Sequence, residues 1–345
     1  MDSNQISAHA RSLHQESIVV DAHSDILMAV ADRRVRLRER TPVEGITTRD
    51  VRGHYDLPRW MEGGITAQVC ALFIRHDEIH YALTRALDMV AGAYHEIAEN
   101  EALVLATTAV DIRQAKQAGK VALMLSFEGV DPLGYNLKLL PVFYQLGVRM
   151  ASLTHARRNY FSGGVMQGEI GEDGGLTPMG VEAIRMMDEL GIVVDLRHLD
   201  ARSIYQVLDV ATRPLVFSHV NAIQAFSRDP NDGPYFPFTR ETGIERYPMM
   251  REVGARNGVI CIIFALQKSI ESILDNIEYV AEAIGPEHVG LGTDYYGFDK
   301  APKGVEDISK MPIITEKLIQ RGFTDEQIKG VLGGNLMRVF DQVLK

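Results

Sequence analysis

The sequence predicts an α/β protein, a single (β/α)8 barrel of the TIM type with loop insertions over the C-terminal face of its strands. Three observations carry this. Eight short β-branched runs alternate with longer stretches of helical periodicity. The runs are apolar almost without interruption, as are strands buried on both faces of a parallel sheet. Six of them end in His, Asp or Glu, residues that a barrel would gather at one mouth. Alternation alone also admits an open, doubly wound sheet.

In chain order the strands are expected at 17–25 (SIVVDAHSD), 65–73 (ITAQVCALF), 120–128 (KVALMLSFE) and 148–155 (VRMASLTH). The ring continues with 191–198 (GIVVDLRH), 214–219 (PLVFSH), 258–264 (GVICIIF) and 288–294 (HVGLGTD). A short extra strand at 102–107 (ALVLAT) is expected to decorate it. Apolar spacing places helices at 78–100, 136–146, 178–190, 201–211, 246–256, 269–284 and 306–321. A last helix starts at Thr324, where Thr324-Asp325-Glu326-Gln327 has capping-box spacing. The irregular stretches 31–58, 156–176 and 220–245 exceed ordinary connections, and in a barrel they would lie over the site. No repeat, low-complexity tract or Pro/Gly/Ser-rich linker divides the chain, so residues 1–345 read as one domain.

Composition narrows the function. The balance of 46 acidic against 36 basic residues, a net charge of −10, excludes a nucleic-acid binder, which needs a basic face. The two cysteines, Cys70 and Cys261, sit in apolar strand runs and read as buried thiols. The N-terminal segment has no apolar leader core and no run approaches membrane-span length, so a cytoplasmic protein with no membrane partner is expected.

The polar strand ends carry the chemistry. Strand 1 ends in His23-Ser24-Asp25, strand 3 in Glu128, strand 4 in His155, strand 5 in His198, strand 6 in His219 and strand 8 in Asp294. His23 and Asp25, two apart on a strand, share a face and can grip one cation. Imidazole with carboxylate is a donor set for zinc or manganese. Adding Glu128, His198 and His219 gives more ligands than a single catalytic metal needs, whereas two metals sharing a carboxylate use all five. Charge agrees: two divalent ions bring +4, and Asp25, Glu128 and a bridging hydroxide supply −3, with Asp294 completing neutrality. The other histidines lack this placement. His76 and His80 read as a solvated helix face, and His9, His14 and His95 as helical surface patterns. His288 falls at the opposite end of the barrel, and His54 in a loop near the mouth.

With these residues in view, the sequence resembles the renal or membrane dipeptidases, zinc peptidases of the amidohydrolase superfamily. The likeness runs from IVVDAHSD through GHYDLPRWMEGGITAQ, LSFEG, SLTH, GGLTPMGVEAIRMMDELGIVVDLRH, LVFSH and VGLGTD to GGNLMRVF. It implies a barrel with two zinc ions per chain. His23 and Asp25 would hold the first, His198 and His219 the second, and Glu128 would bridge them. His155 would contact the substrate carbonyl and its developing oxyanion, and Asp294 the bridging water. A homodimer and a small dipeptide-like substrate are implied as well.

The chain departs from the family at three places. The family's arginine for the substrate carboxylate follows LVFSH in an Arg-Asn-x-x-Asp setting; here FSRDPNDGPYFPFTRETGIER offers Arg228 and Arg240. Arg228 is preferred for its shorter tether to strand 6. Asp-Phe-Asp-Gly after strand 8 becomes Asp294-Tyr295-Tyr296-Gly297. Arg197 replaces a small residue before His198, and strand alternation is expected to turn it from the ligand face into a structural pair. The reaction implied is hydrolysis of a dipeptide by a metal-bridging hydroxide, with Asp294 as base and then acid and His155 at the oxyanion. The alternatives are a hydrolase on the same centre acting on a cyclic amide, lactam or N-acyl amino acid, and a non-catalytic binding protein.

Overall fold

The strands owe their position to apolar residues covered on both sides. A computed structural model describes residues 6–41, 55–166, 174–223, 246–297 and 301–345. Among the described residues lie nine strands: β1 (Val20–Asp21), β2 (Ala67–Phe73), β3 (Leu103–Leu105), β4 (Val121–Glu128), β5 (Val148–Ser152), β6 (Val193–Asp195), β7 (Val216–Val220), β8 (Val259–Ile262) and β9 (Val289–Leu291). Eight run round a ring in the order β1-β2-β4-β5-β6-β7-β8-β9, all in parallel pairs, and β3 pairs with β4 beside it. Backbone bonds close the ring: the Ala22 amide donates to the Leu291 carbonyl at 2.9 Å and the Asp294 amide to the His23 carbonyl at 3.1 Å. This is the (β/α)8 barrel; an open sheet would lack that seam.

Side-chain alternation sorts two apolar layers. On β4, Ala122 and Met124 join an inner cluster with Val69, Met150, Val193, Val216 and Cys261 from five other strands. Leu123, Leu125 and Phe127 join the larger cluster beneath the surrounding helices. Each such large apolar side chain contributes roughly 1.5–3 kcal/mol on burial. The inner parity of β4 continues through Ser126 to Glu128, which places that carboxylate at the mouth above a filled core. Leu336 and Phe340 of the last helix join the inner cluster at the other end, where the Asn335 amide side chain donates to the Val289 carbonyl at 2.8 Å. Both cysteines are fully buried free thiols.

The helices follow the apolar spacing where it is long. Pro178–Leu190 coincides with its expected span and is capped by Thr177. Thr324 and Gln327 cap each other reciprocally, and the helix continues past a wider turn to Asn335–Val343. The helix expected at 78–100 begins as a 3-10 turn, His76–Tyr81, before Ala82–Glu99. Helices also form at Ile26–Ala31 and Leu57–Glu62, each too short to show a period. At Ala109–Ala118 the buried face is Ala109, Ile112 and Ala115, too weak an apolar stripe to stand out. Two expectations need correction. The first strand extends over Val20–Asp21 alone, because the chain turns into the helix at Ile26. His14 is not on a surface: it lies buried, 2.8 Å from Thr315 Oγ1 and 2.9 Å from the Gly63 carbonyl. Among the described residues no helix is long and apolar enough to cross a membrane.

Candidate metal centre

Parallel strands open their C-terminal ends at one face, and there the barrel assembles the polar residues. Glu128 is the last residue of β4 and His219 lies in β7; His23 and Asp25 follow β1, His155 follows β5, His198 follows β6 and Asp294 follows β9. His198 (φ 67°) and Asp294 (φ 61°) take left-handed backbone conformations. Outside glycine this costs of order 1–3 kcal/mol and concentrates at functional sites. These turns break strand alternation just where the two side chains must enter the mouth.

The side chains converge. Glu128 Oε1 is 2.8 Å from His198 Nε2 and 3.6 Å from both His23 Nε2 and His219 Nε2. His23 Nε2 is also 3.8 Å from Asp25 Oδ1 and 3.7 Å from Asp294 Oδ1. The His23 and His219 rings stack at 3.8 Å, and His198 Nε2 and His219 Nε2 stand 3.2 Å apart. Three overlapping groups have their donor atoms within 4.8 Å: His23-Asp25-Glu128, Glu128-His155-His198 and His23-His219-Asp294. Asp25, Glu128, His155, His198, His219 and Asp294 line a cavity of about 520 Å³.

The electrostatics of the cluster fit a cation. Burial, then the charge of Arg197, lowers the His23 imidazole to about 3 and holds His198 well below the ordinary histidine range. For His219 burial again comes first, then the neighbouring His23. The rings are therefore neutral and offer lone pairs. Burial and the nearby Asp294 push the Glu128 carboxyl well up, so its anion needs a positive partner. His23 Nε2 is buried and makes no hydrogen bond, its carboxylate neighbours standing at separations that suit a shared ion. His219 Nδ1 lies 2.8 Å from Ser218 Oγ, and the Ser218 side chain and amide both bond Asp195. With Nδ1–H donating to Ser218, the Nε2 lone pair points into the cluster, as a metal-ligating histidine requires. Nitrogen and carboxylate oxygen are zinc-type donors.

The sequence model of the membrane dipeptidase family, peptidase family M19, matches residues 7–232 and 246–345. The chain belongs to this family. It is 30% identical over 349 residues to an uncharacterised dipeptidase of Schizosaccharomyces pombe, covering 93% of this chain and 79% of that one. With dipeptidase tcpJ of Claviceps purpurea it shares 28% identity, covering 86% and 71% respectively. A Rhodobacter sphaeroides metallopeptidase, solved with a phosphinate mimic of the dipeptide L-Ala-D-Ala, superposes with a TM-score of 0.79 at 22% identity, covering 95% of this chain and 100% of that chain.

Within this dipeptidase-family barrel, several contributors were not evident from the strand ends. Asp21 is fully buried and accepts from Tyr55 Oη (2.6 Å), the Thr293 amide and hydroxyl (2.7 Å each) and the His23 amide (3.4 Å). Asp195 accepts from the Arg197 and Ser218 amides at 3.0 Å each. A signal for both is in the sequence: Ile-Val-Val-Asp occurs at 18–21 and again at 192–195, an acid inside a buried strand shortly before a site histidine.

The backbone at Arg197 departs from a regular strand, since β6 ends at Asp195 and His198 is left-handed. The Arg197 charge acts on Asp294, Glu128 and Asp195. His76 is exposed, as expected, at the start of a 3-10 turn, and it borders the cavity. Tyr296, where the family carries its second acid, lines the cavity too. Arg228, Arg240 and His54 lie outside the described residues.

Proposed function

We propose that this metal-dependent dipeptidase works with two zinc ions, held by His23, Asp25, Glu128, His198 and His219, with residues 1–345 acting as one catalytic unit. The observation that supports it best is Glu128 Oε1 within 2.8–3.6 Å of three neutral imidazoles at a barrel mouth. Bound there, the ions would supply a Lewis acid and acidify water to a pKa of about 7. The protein groups supply the rest. His155, held against Phe73 and His198 with ring centroids at 4.5 and 4.4 Å, donates to the carbonyl oxygen as negative charge develops on it. Asp294 accepts a proton from the attacking water and delivers it to the amine nitrogen as the C–N bond breaks. Arg228 or Arg240 meets the substrate carboxylate. A cytoplasmic homodimer completes the proposal, and sedimentation at micromolar concentration would show the dimer.

The experiment is elemental analysis coupled to a dipeptide hydrolysis assay. Chelation should abolish activity, and zinc should restore it at two equivalents per chain. Full activity with less than one metal per chain would overturn the two-zinc reading, and hydrolysis of lactams or N-acyl amino acids in preference to dipeptides would overturn the substrate class.

A further inference from the structure

We infer that Asp195 is a positioning residue for metal binding: through the Ser218 hydroxyl it dictates which nitrogen of His219 carries the proton and which is left for the metal. For the metal, this rests on the reading above; for the proton, it stands on hydrogen bonds alone. Ser218 and His219 are neighbours on β7, and in a regular strand neighbouring side chains point to opposite faces. Val216 belongs to the inner cluster and Phe217 to the outer one, so regular alternation would turn Ser218 inward and His219 away from the mouth. The register slips instead. Phe217 pairs with Ile260 and Val220 with Ile262, which leaves one extra residue on β7, a bulge. That bulge brings His219 round to the cluster with its Nδ1 2.8 Å from Ser218 Oγ.

One proton sets the direction of the relay. Asp195, buried at the end of β6, accepts the Arg197 and Ser218 amides at 3.0 Å each and the Ser218 hydroxyl as well. A serine hydroxyl has a single hydrogen, and a carboxylate only accepts. With that hydrogen given to Asp195, Oγ must accept from His219, so the imidazole carries its proton on Nδ1. Its Nε2 lone pair then faces the cluster, where Glu128 Oε1 lies 3.6 Å and His198 Nε2 3.2 Å away. In Asp195→Asn the carboxamide can donate to Oγ. The hydroxyl is then free to donate to Nδ1, and the imidazole proton moves to Nε2, where it blocks the metal. A like clamp stands across the ring on β1. Asp21 accepts the amide two residues on, His23, and both the amide and hydroxyl of Thr293, the residue before Asp294. There the next side chain is a carboxylate, so that clamp sets position without setting a tautomer.

Asp195→Asn and Ser218→Ala should be compared with wild type and with Leu274→Ala, a buried change in the outer helix Ile270–Ile284 that controls for lost stability. The His219 tautomer is read by nitrogen NMR of metal-free protein with labelled histidine, its signal being the one missing from His219→Gln. Zinc affinity is read by competition with a chromophoric chelator. Wild type should hold the proton on Nδ1. Asp195→Asn should move it to Nε2, and Ser218→Ala should leave a mixture. Each should weaken one zinc equivalent by roughly 10–100-fold, the usual worth of a partner behind a metal-bound histidine, while Leu274→Ala changes neither readout. A proton that stays on Nδ1 in Asp195→Asn, a moved proton with unchanged zinc affinity, or an equal effect in Leu274→Ala overturns the inference and leaves the metal reading intact. If Asp195→Asn does not fold, Ser218→Ala decides: Nδ1–H retained with full zinc affinity overturns the inference. A wild type that takes up no zinc overturns the metal reading, and the role in metal binding with it.

Discussion

Asp294 is held by its backbone before its carboxylate does anything. Its amide donates to the His23 carbonyl at 3.1 Å, its own carbonyl accepts the Gly297 amide at 3.0 Å, and its φ is 61°. Gly297 has no side chain because a Cβ there would collide with the Asp294 carboxylate. Asp294→Asn keeps this shape and removes the basic oxygen. If Asp294 is the acid–base group proposed, kcat should fall by about 10²–10⁴, while the metal content on elemental analysis stays that of wild type. Unchanged turnover would remove Asp294 from the reaction. Such a residue is legible in sequence because it terminates an apolar run at the end where a parallel barrel opens its mouth. What Arg197 meets is not legible in that way, because it depends on where β6 ends and on the left-handed turn at His198.

Among the elements, the seam between β1 and β9 is the one on which the site depends, since His23 follows one and Asp294 the other. Asp21 fastens it with hydrogen bonds from Thr293 of the β9 side, Tyr55 and the His23 amide. Burial raises the Asp21 carboxyl despite these donors, so the donors are what make the buried acid tolerable. Asp21→Ala leaves several buried donors without an acceptor, each costing about 1–3 kcal/mol. It should destabilise the protein by roughly 3 kcal/mol or more in urea unfolding and weaken metal binding. Tyr55→Phe, which removes one donor, should cost only about 1 kcal/mol. Equal, small losses in both would show that the seam does not depend on Asp21. The strands themselves are legible from their β-branched runs and the long helices from their period. The seam is not, because the strand expected over 17–25 reduces to Val20–Asp21, and beyond it the chain is held by isolated backbone bonds, the Ser24 hydroxyl on the Tyr295 carbonyl and the buried Asp21.

At the scale of the whole molecule, the N-terminal helix Ala8–Glu16 ties the barrel's outer layer together through a histidine that reads, in sequence, as a surface residue. The Ser7 hydroxyl donates to Glu316 at 2.6 Å, while His14 bonds Thr315 of the same helix, Met311–Gln320, and the Gly63 carbonyl ahead of β2. Gly64 takes φ 69°, and a Cβ on it would come within 2.9 Å of the His14 ring, so glycine is needed there on both counts. Burial lowers the His14 imidazole below its ordinary value, so the folded protein holds it neutral. The unfolded chain binds the proton at about pH 6.5. Between that pH and the lower folded value, the unfolded state carries more protons. The contribution of His14 is therefore complete above pH 6.5 and lost as pH falls below it. His14→Gln should be less stable than wild type at pH 7 by about 1 kcal/mol, one hydrogen bond's worth. Because glutamine has no proton to gain, the gap should narrow or reverse by pH 5. Urea unfolding of both metal-loaded proteins at the two pH values measures this, since any metal loss common to both cancels in the difference. A gap that stays constant from pH 7 to pH 5 would mean that His14 does not take up a proton on unfolding, and no gap at either pH would mean that the helix is fastened by Ser7 and packing alone.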